Sequence, residues 1–291
     1  MNGLDAETKT VDVDGSSVRY YLAGPEDTPP IVLVHGAGPD AAGVSWKRAF
    51  PALAESHRVV AVDLPGYGRS DPVPRTVTPT VEFYVGVLNT VFERLNLVDA
   101  TLVGISKGGA IALGYALEAP GRVGRLVPVA SFGLGDRIPG RRRAAAMLRV
   151  PKLLEASWWA MRRSRRVTAA SIGNVALPEN VDRAFVDDVH RELRRPNAGD
   201  AYARFARAEM RLSGPRTNYA DRIPELAVET LFIHGKQDPL IPVELSKRAA
   251  DVAPVADLFT LEGCGHWVPR EHPEAFVSRL EAWLGMRRSA A

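Results

Sequence analysis

The stretch Thr101-Leu102-Val103-Gly104-Ile105-Ser106-Lys107-Gly108-Gly109-Ala110 constrains this chain more than any other. An apolar run ends in Gly-x-Ser-x-Gly and passes without a linker into Ala110-Ile111-Ala112-Leu113-Gly114-Tyr115-Ala116. The pattern predicts a strand, a sharp turn and a helix. Glycines at 104 and 108 suit a corner where strand and helix must approach more closely than side chains allow. The helix would aim its unpaired N–H groups and the positive end of its dipole at Ser106. An oxyanion forming there would be stabilised without rearrangement.

Around that corner, strands and helices alternate. Residues 8–13 and 17–22 alternate in polarity about Asp14-Gly15 and predict a hairpin. Residues 30–34 and 58–63 are continuous apolar, β-branched runs, as expected of strands buried on both faces. The first ends in His35-Gly36-Ala37-Gly38-Pro39, the second in Leu64-Pro65-Gly66-Tyr67-Gly68-Arg69-Ser70-Asp71. A short helix is predicted over 46–56. Phe83, Val87, Val91 and Leu95 place an apolar face on a helix over 82–95. Another strand is predicted at 125–130. This alternation predicts an α/β fold with a mostly parallel central sheet flanked by helices.

The alternation stops after Ser131. Helices are predicted over 142–149, 151–163, 182–194 and 200–213, divided by Pro139-Gly140, Pro178, Pro196 and Gly214-Pro215. Residues 134–219 therefore read as a helical cap, or lid, inserted into a core domain built from 1–133 and 220–291. Alternation resumes with a strand at 230–234, a helix at 242–252, a strand at 257–261 and a last helix at 273–284.

Composition narrows the function classes. With 291 residues, 46% of them hydrophobic, the chain can bury roughly three quarters of its unfolded surface. No apolar run approaches the ~20 residues of a membrane span. The polar, acidic N-terminus does not read as a signal peptide. A single cysteine, Cys264, excludes an internal disulfide and suits a cytoplasmic location. The net charge is +3, but from 134 to 220 eighteen cations, seventeen of them arginine, face nine carboxylates. Without a nucleic-acid motif, this segment reads as a solvated arginine-rich helical surface. The expected partner is a small-molecule substrate, with no nucleic acid and no membrane; a homodimer is left open.

In open α/β sheets the site lies at the carboxyl ends of the strands. Ser106, Asp238 and His266 each follow a predicted strand. A serine hydroxyl is a poor nucleophile without an adjacent base. His266 would take its proton and later deliver it, and Asp238 would fix the imidazole's tautomer. Among the other histidines, His35 is expected to hold its loop by hydrogen bonding, His234 to be structural, and His57 and His272 to lie on the surface. Asp136, already inside the insertion, ranks below Asp238. The oxyanion hole is expected from the backbone N–H groups of Ala37 and Lys107, with the Lys107 side chain in solvent. There is no dinucleotide or phosphate loop and no His/Cys cluster with metal spacing, so neither cofactor nor metal is expected.

His35-Gly36-x-Gly38, Asp63-x-Pro65-Gly66-x-Gly68-x-Ser70-Asp71, Gly104-x-Ser106-x-Gly108-Gly109, Gly235-x-x-Asp238 and Gly265-His266, in that order, resemble the α/β-hydrolase superfamily over nearly the whole chain. The order Ser, Asp, His is that of its nucleophile-elbow members. Within it, residues 35–45 and Cys264-Gly265-His266-Trp267 resemble the meta-cleavage-product hydrolases, which break a carbon–carbon bond in vinylogous diketones. That resemblance implies substrate contacts at Trp267, at Gly38 and at a cap arginine, for which Arg191 is the candidate by position. It also places Ile105 and Trp46 where that family carries asparagine. Apolar groups there suit an uncharged ester. The leading expectation is thus a serine hydrolase of a small to medium, largely apolar ester. The alternatives are C–C bond hydrolysis and, in another class, a non-catalytic ligand-binding receptor on the same fold.

Overall fold

The computed structural model describes residues 4–136, 140 and 145–285. Eight strands form one sheet: β1 (Glu7–Val13), β2 (Ser16–Ala23), β3 (Ile31–Val34), β4 (Val59–Val62), β5 (Ala100–Ile105), β6 (Val123–Val129), β7 (Glu229–Gly235) and β8 (Ala256–Leu261). Their spatial order is β1-β2-β4-β3-β5-β6-β7-β8. β2 pairs antiparallel with both β1 and β4, and every other pairing is parallel. This is the mostly parallel sheet flanked by helices expected from the alternation, in the arrangement that the α/β-hydrolase resemblance implies.

The period of two along a strand sorts side chains to opposite faces. On β3, Val32 and Val34 join one core cluster while Ile31 and Leu33 join the other. The first face is covered by α3 (Val81–Arg94) and α4 (Lys107–Glu118) through Leu88, Val91, Ile111 and Tyr115. The second is covered by α2 (Ala49–Ala54) and the C-terminal helix through Phe50, Leu53, Phe276 and Leu280. Being covered on both sides is why β3, β4 and β5 are buried along their whole length.

Some boundaries differ from the sequence expectation. The helix expected over 46–56 is two short pieces, α1 (Ala42–Ser45) and α2, with Trp46 to Arg48 outside both. Pro51 has no N–H to donate and is tolerated in the first turn of a helix, so the second piece restarts just before it. α3 begins one residue early, at Val81, because Thr80 caps it by accepting from the Phe83 amide at 3.2 Å. Its buried face is also rotated: Tyr84, Leu88 and Phe92 are covered, whereas Phe83 and Leu95 are only partly so.

Between β6 and β7 the chain is helical: α5 (Pro151–Arg163), α6 (Arg165–Ile172), α7 (Arg183–Leu193) and α8 (Asp200–Glu209). α6 was not expected. Ser164 breaks α5 from it and caps it, accepting from the Val167 amide. α8 stops four residues short of the expected 213 because Met210 turns into a bridge with Pro215. The helix expected over 142–149 falls partly, and Pro139 wholly, outside the described residues. After β7 come α9 (Val243–Val252), α10 (Val268–Glu271) and α11 (Pro273–Gly285). Among the described residues no helix is long and apolar enough to cross a membrane.

The corner after β5 is crowded by backbone. A Cβ on Gly104 would lie 2.1 Å from the Gly108 carbonyl oxygen, and one on Gly108 would lie 2.2 Å from the Val34 carbonyl oxygen. Neither obstacle is a flexible side chain. Gly108→Ala should therefore lower stability by about 1–3 kcal/mol or more. Gly121→Ala, which meets nothing within 4 Å, should stay within about 0.5 kcal/mol of the parent. Urea unfolding of the two variants checks the contrast.

Candidate active site

Ser106 occupies a backbone conformation rare for a side-chain-bearing residue, φ 55° and ψ −115°. Such strain persists only where the surroundings over-determine it. Here the Ser106 amide donates to the Val129 carbonyl at the end of β6 (2.9 Å). Its carbonyl accepts from Ala110 and Phe132 (3.1 Å each). A Cβ on Gly36 would lie 3.5 Å from the Ser106 Cβ, so the turn after β3 passes directly beside the nucleophile. The amides of Ala37 and Lys107 have no acceptor among the described residues.

His266 and Asp238 converge from the ends of β8 and β7. Gly235 lets this happen: a Cβ there would stand 2.0 Å from the Gly265 carbonyl oxygen. His266 Nδ1 lies 2.7 Å from Asp238 Oδ2. Asp238 Oδ1 accepts from the amides of Leu240 (2.8 Å) and Ile241 (3.0 Å). Both side chains are buried. Burial disfavours the charged carboxylate, yet the His266 and His234 imidazoles outweigh it and hold Asp238 well below the usual carboxylate range. Burial likewise pulls His266 down, but the charge and hydrogen bond of Asp238 leave it raised above 6.5. With Nδ1–H committed to Asp238, Nε2 is the free basic nitrogen. No hydrogen bond joins it to the Ser106 hydroxyl among the described residues, and such contacts commonly close only around substrate.

Two other histidines are held structurally. His35 Nε2 accepts from the Leu64 amide (3.0 Å), so its proton sits on Nδ1 and is donated to the Gly36 carbonyl (2.9 Å). His234 lies between Ser246 Oγ (2.7 Å) and the acceptors Asp238 Oδ2 (3.0 Å) and the Ile241 carbonyl (2.9 Å).

The residues expected to touch substrate fare differently. Ile105 packs in the core with Val103 and Val129. Trp46 is fully buried, its ring 6.0 Å from that of Phe276. Both belong to the buried cluster that also holds Trp267 and Phe185 of α7. Trp267 donates its indole N–H to Ser45 Oγ (2.8 Å) and stands edge-on to Phe185 of α7, at 5.0 Å. Gly38 has φ 81° and open space beside it. Arg191 is tied to Asp188 (3.0 Å) and lines a cleft with Lys47, Arg69 and Arg195, a cleft that neither Ser106 nor His266 lines.

The Lys107 side chain is not in solvent. It is 1% exposed, its Nζ 3.5 Å from the Tyr67 ring centre and 4.5 Å from that of Tyr84, with Phe205 of α8 beyond. Its Nζ has no hydrogen-bond partner, and burial pushes its pKa well below that of a free lysine. The aromatic faces replace water around the amine.

Three carboxylates of the site went unnoticed in the sequence. Glu271 accepts from the amides of Gly265 (2.9 Å) and Trp267 (2.9 Å), on either side of His266, and from the Leu177 amide (3.0 Å). Asp63 accepts from the amides of Ala42 (2.9 Å) and Arg69 (3.0 Å). Asp40 accepts from the Gly36 amide (2.7 Å), the Ala41 amide (2.8 Å) and the Ser45 hydroxyl (2.7 and 2.9 Å). Only their placement inside glycine-rich turns or a short helix hinted at such roles. Among the described residues no group of His, Cys, Asp and Glu has metal-holding geometry.

Residues 31–279 match the profile of the Alpha/beta hydrolase family. The chain is 30% identical over 294 residues to the 2-hydroxy-6-oxo-2,4-heptadienoate hydrolase of Pseudomonas putida strain F1, covering 94% of this chain and 98% of that one. It is 32% identical over 275 residues to the 2-hydroxymuconate semialdehyde hydrolase of Pseudomonas sp. strain CF600, covering 90% and 89%. The fold is similar to a meta-cleavage product hydrolase of Pseudomonas fluorescens IP01 (TM-score 0.79, 23% identity, 95% and 97% covered). It is also similar to a carboxylesterase of Bacillus subtilis (TM-score 0.78, 21% identity, 97% and 92% covered). The chain belongs to the α/β-hydrolase family, and it is a hydrolase with meta-cleavage resemblance.

Asp238→Asn should leave the fold intact but lower turnover by ~10⁴, because the imidazole loses the partner that fixes its tautomer. The base must be neutral to act. Since Asp238 holds His266 above 6.5, the acid limb of kcat/KM should lie above that value in the parent and shift down in Asp238→Asn. Steady-state pH profiles of both proteins check this.

Proposed function

We propose that this chain is a serine-dependent C–C bond hydrolase of the meta-cleavage type, acting on a vinylogous diketone that carries a dienoate. The observation that carries this reading is the pair of relatives, each 30% or more identical over about nine tenths of both chains. One is named a 2-hydroxy-6-oxo-2,4-heptadienoate hydrolase and the other a 2-hydroxymuconate semialdehyde hydrolase. The case for an ester rested on Ile105 and Trp46 presenting apolar groups to substrate. Both side chains are buried beside Trp267, and the two named relatives weigh more than their apolar character.

In this reading Ser106 is the nucleophile, His266 the general base and then acid, and Asp238 the group that orients it. His266 Nε2 takes the Ser106 proton as Oγ attacks the keto carbonyl. The amides of Ala37 and Lys107 receive the oxyanion. When the tetrahedral adduct collapses, the C–C bond breaks and its electron pair enters the conjugated dienoate, which takes up the proton from His266. A water activated by His266 then releases the acid from Ser106. The net reaction adds one water across the bond. Residues 134–219 act as the cap over a core of 1–133 and 220–291. Contacts that support this are the His266 amide to the Val175 carbonyl (2.8 Å) and Phe185 against Trp267. Buried, unpaired Cys264 supports a reducing, cytoplasmic setting.

The test is a 2-hydroxy-6-oxo-dienoate, followed by loss of its absorbance, beside a panel of p-nitrophenyl esters. The dienoate should be turned over with the higher kcat/KM, and Ser106→Ala should lower that rate by at least ~10³. Ester turnover with the dienoate untouched would restore the ester reading. No turnover together with no fluorophosphonate adduct on Ser106 would leave a binding protein.

A further inference from the structure

Asp40 is 2% exposed, and its carboxylate is enclosed by hydrogen-bond donors. Oδ2 accepts from the Gly36 amide, Oδ1 from the Ala41 amide, and the Ser45 hydroxyl reaches both oxygens. The Ser45 oxygen in turn accepts the indole N–H of Trp267, the neighbour of His266. A Cβ on Gly36 would lie 3.0 Å from Asp40 Oδ2 and 3.5 Å from the Ser106 Cβ, so the carboxylate sits just behind the turn that flanks the nucleophile. Every proton in this chain points inward, from Trp267 to Ser45 and from Ser45, Gly36 and Ala41 to Asp40. The Gly36 and Ala41 amides can only donate, one to each carboxylate oxygen, and both bonds favour the ionised form.

We infer that Asp40 is a positioning residue for the hydrolytic reaction. It fixes the Gly36–Ala37 turn on one side of Ser106 and, through Ser45 and Trp267, the His266 loop on the other. The inference rests on the reading of Ser106 as nucleophile and His266 as base. It assigns to one carboxylate the spacing between the oxyanion amide and the base, which arrive from opposite ends of the chain. Its charge acts as well. Lys107 of α4, His266, Tyr67 and Glu192 of α7 all face it, and the carboxylate favours the protonated imidazole, as do Asp238 and Glu271. Burial raises Asp40 to about 6, so it is ionised in the neutral range where His266 works as a base.

The experiment compares the parent with Asp40→Asn, using the rate of Ser106 labelling by a fluorophosphonate and kcat and KM on the best substrate across pH. Asparagine keeps the shape but sets an NH₂ against inward-pointing donors. Labelling and kcat should fall by ~10–100-fold with little change in KM, short of the ~10²–10³ for deleting an oxyanion donor outright. The acid limb should move to lower pH. A folded Asp40→Asn with parental labelling, kcat and acid limb overturns the inference. So does one in which only KM rises or the limb stays put. Should Asp40→Asn fail to fold, Ser45→Ala, which removes the hydroxyl joining Asp40 to Trp267, should lower kcat several-fold at unchanged KM; parental kcat there overturns the inference. A parent protein whose Ser106 does not label at all overturns the nucleophile reading itself, and this inference with it.

Discussion

A serine held at φ 55° is stable only where everything around it is fixed, and here the fixing is done by absent side chains. Gly104 and Gly108 let the strand and helix of the corner touch backbone to backbone, and Gly109 presses on Ser131. The same device recurs at Gly235, where the histidine loop lies against the end of β7. The corner of Ser106 and the loop of His266 are thus set by close main-chain contacts. The sheet supplies a common edge, and the glycines decide how closely the loops crowd over it.

Much of this was legible in the chain itself. Period-two and continuous apolar runs located all eight strands, since a strand covered on both faces has no polar face to hide it. Strand-end position picked out Ser106, Asp238 and His266, and the structure places Ser106 after β5 and joins Asp238 to His266. The misses have physical reasons. The helix expected over 46–56 breaks at Trp46 to Arg48, because where a helix can restart is decided by Pro51 and not by the apolar pattern. Lys107 was judged by its charge, and a lysine's exposure is set by its neighbours: Tyr67, Tyr84 and Phe205 come from three separate elements. No local pattern announces such a cage.

The carboxylates Asp40, Asp63 and Glu271 show a related limit. Each accepts from two or more backbone amides, and among the described residues none forms a salt bridge. In a sequence they look like ordinary loop acids. Their work is to satisfy amides that the irregular turns around the site would otherwise leave unpaired in the interior. A third buried type is Asp188, on which Lys47, Arg191 and Arg270 converge. It ties the arginine-rich segment to the core by its own acid: Lys47 and Arg270 lie outside that segment, and only Arg191 within it.

The His266 amide finds its acceptor in Val175, and Glu271 divides its oxygens between the loop of the base and Leu177. The helical stretch between β6 and β7 is therefore not a detachable accessory. Trimming it away would strip the base of its main-chain acceptor and expose half of the carboxylate that braces its loop. A minimal version of this protein cannot be made by keeping the sheet and discarding the insert.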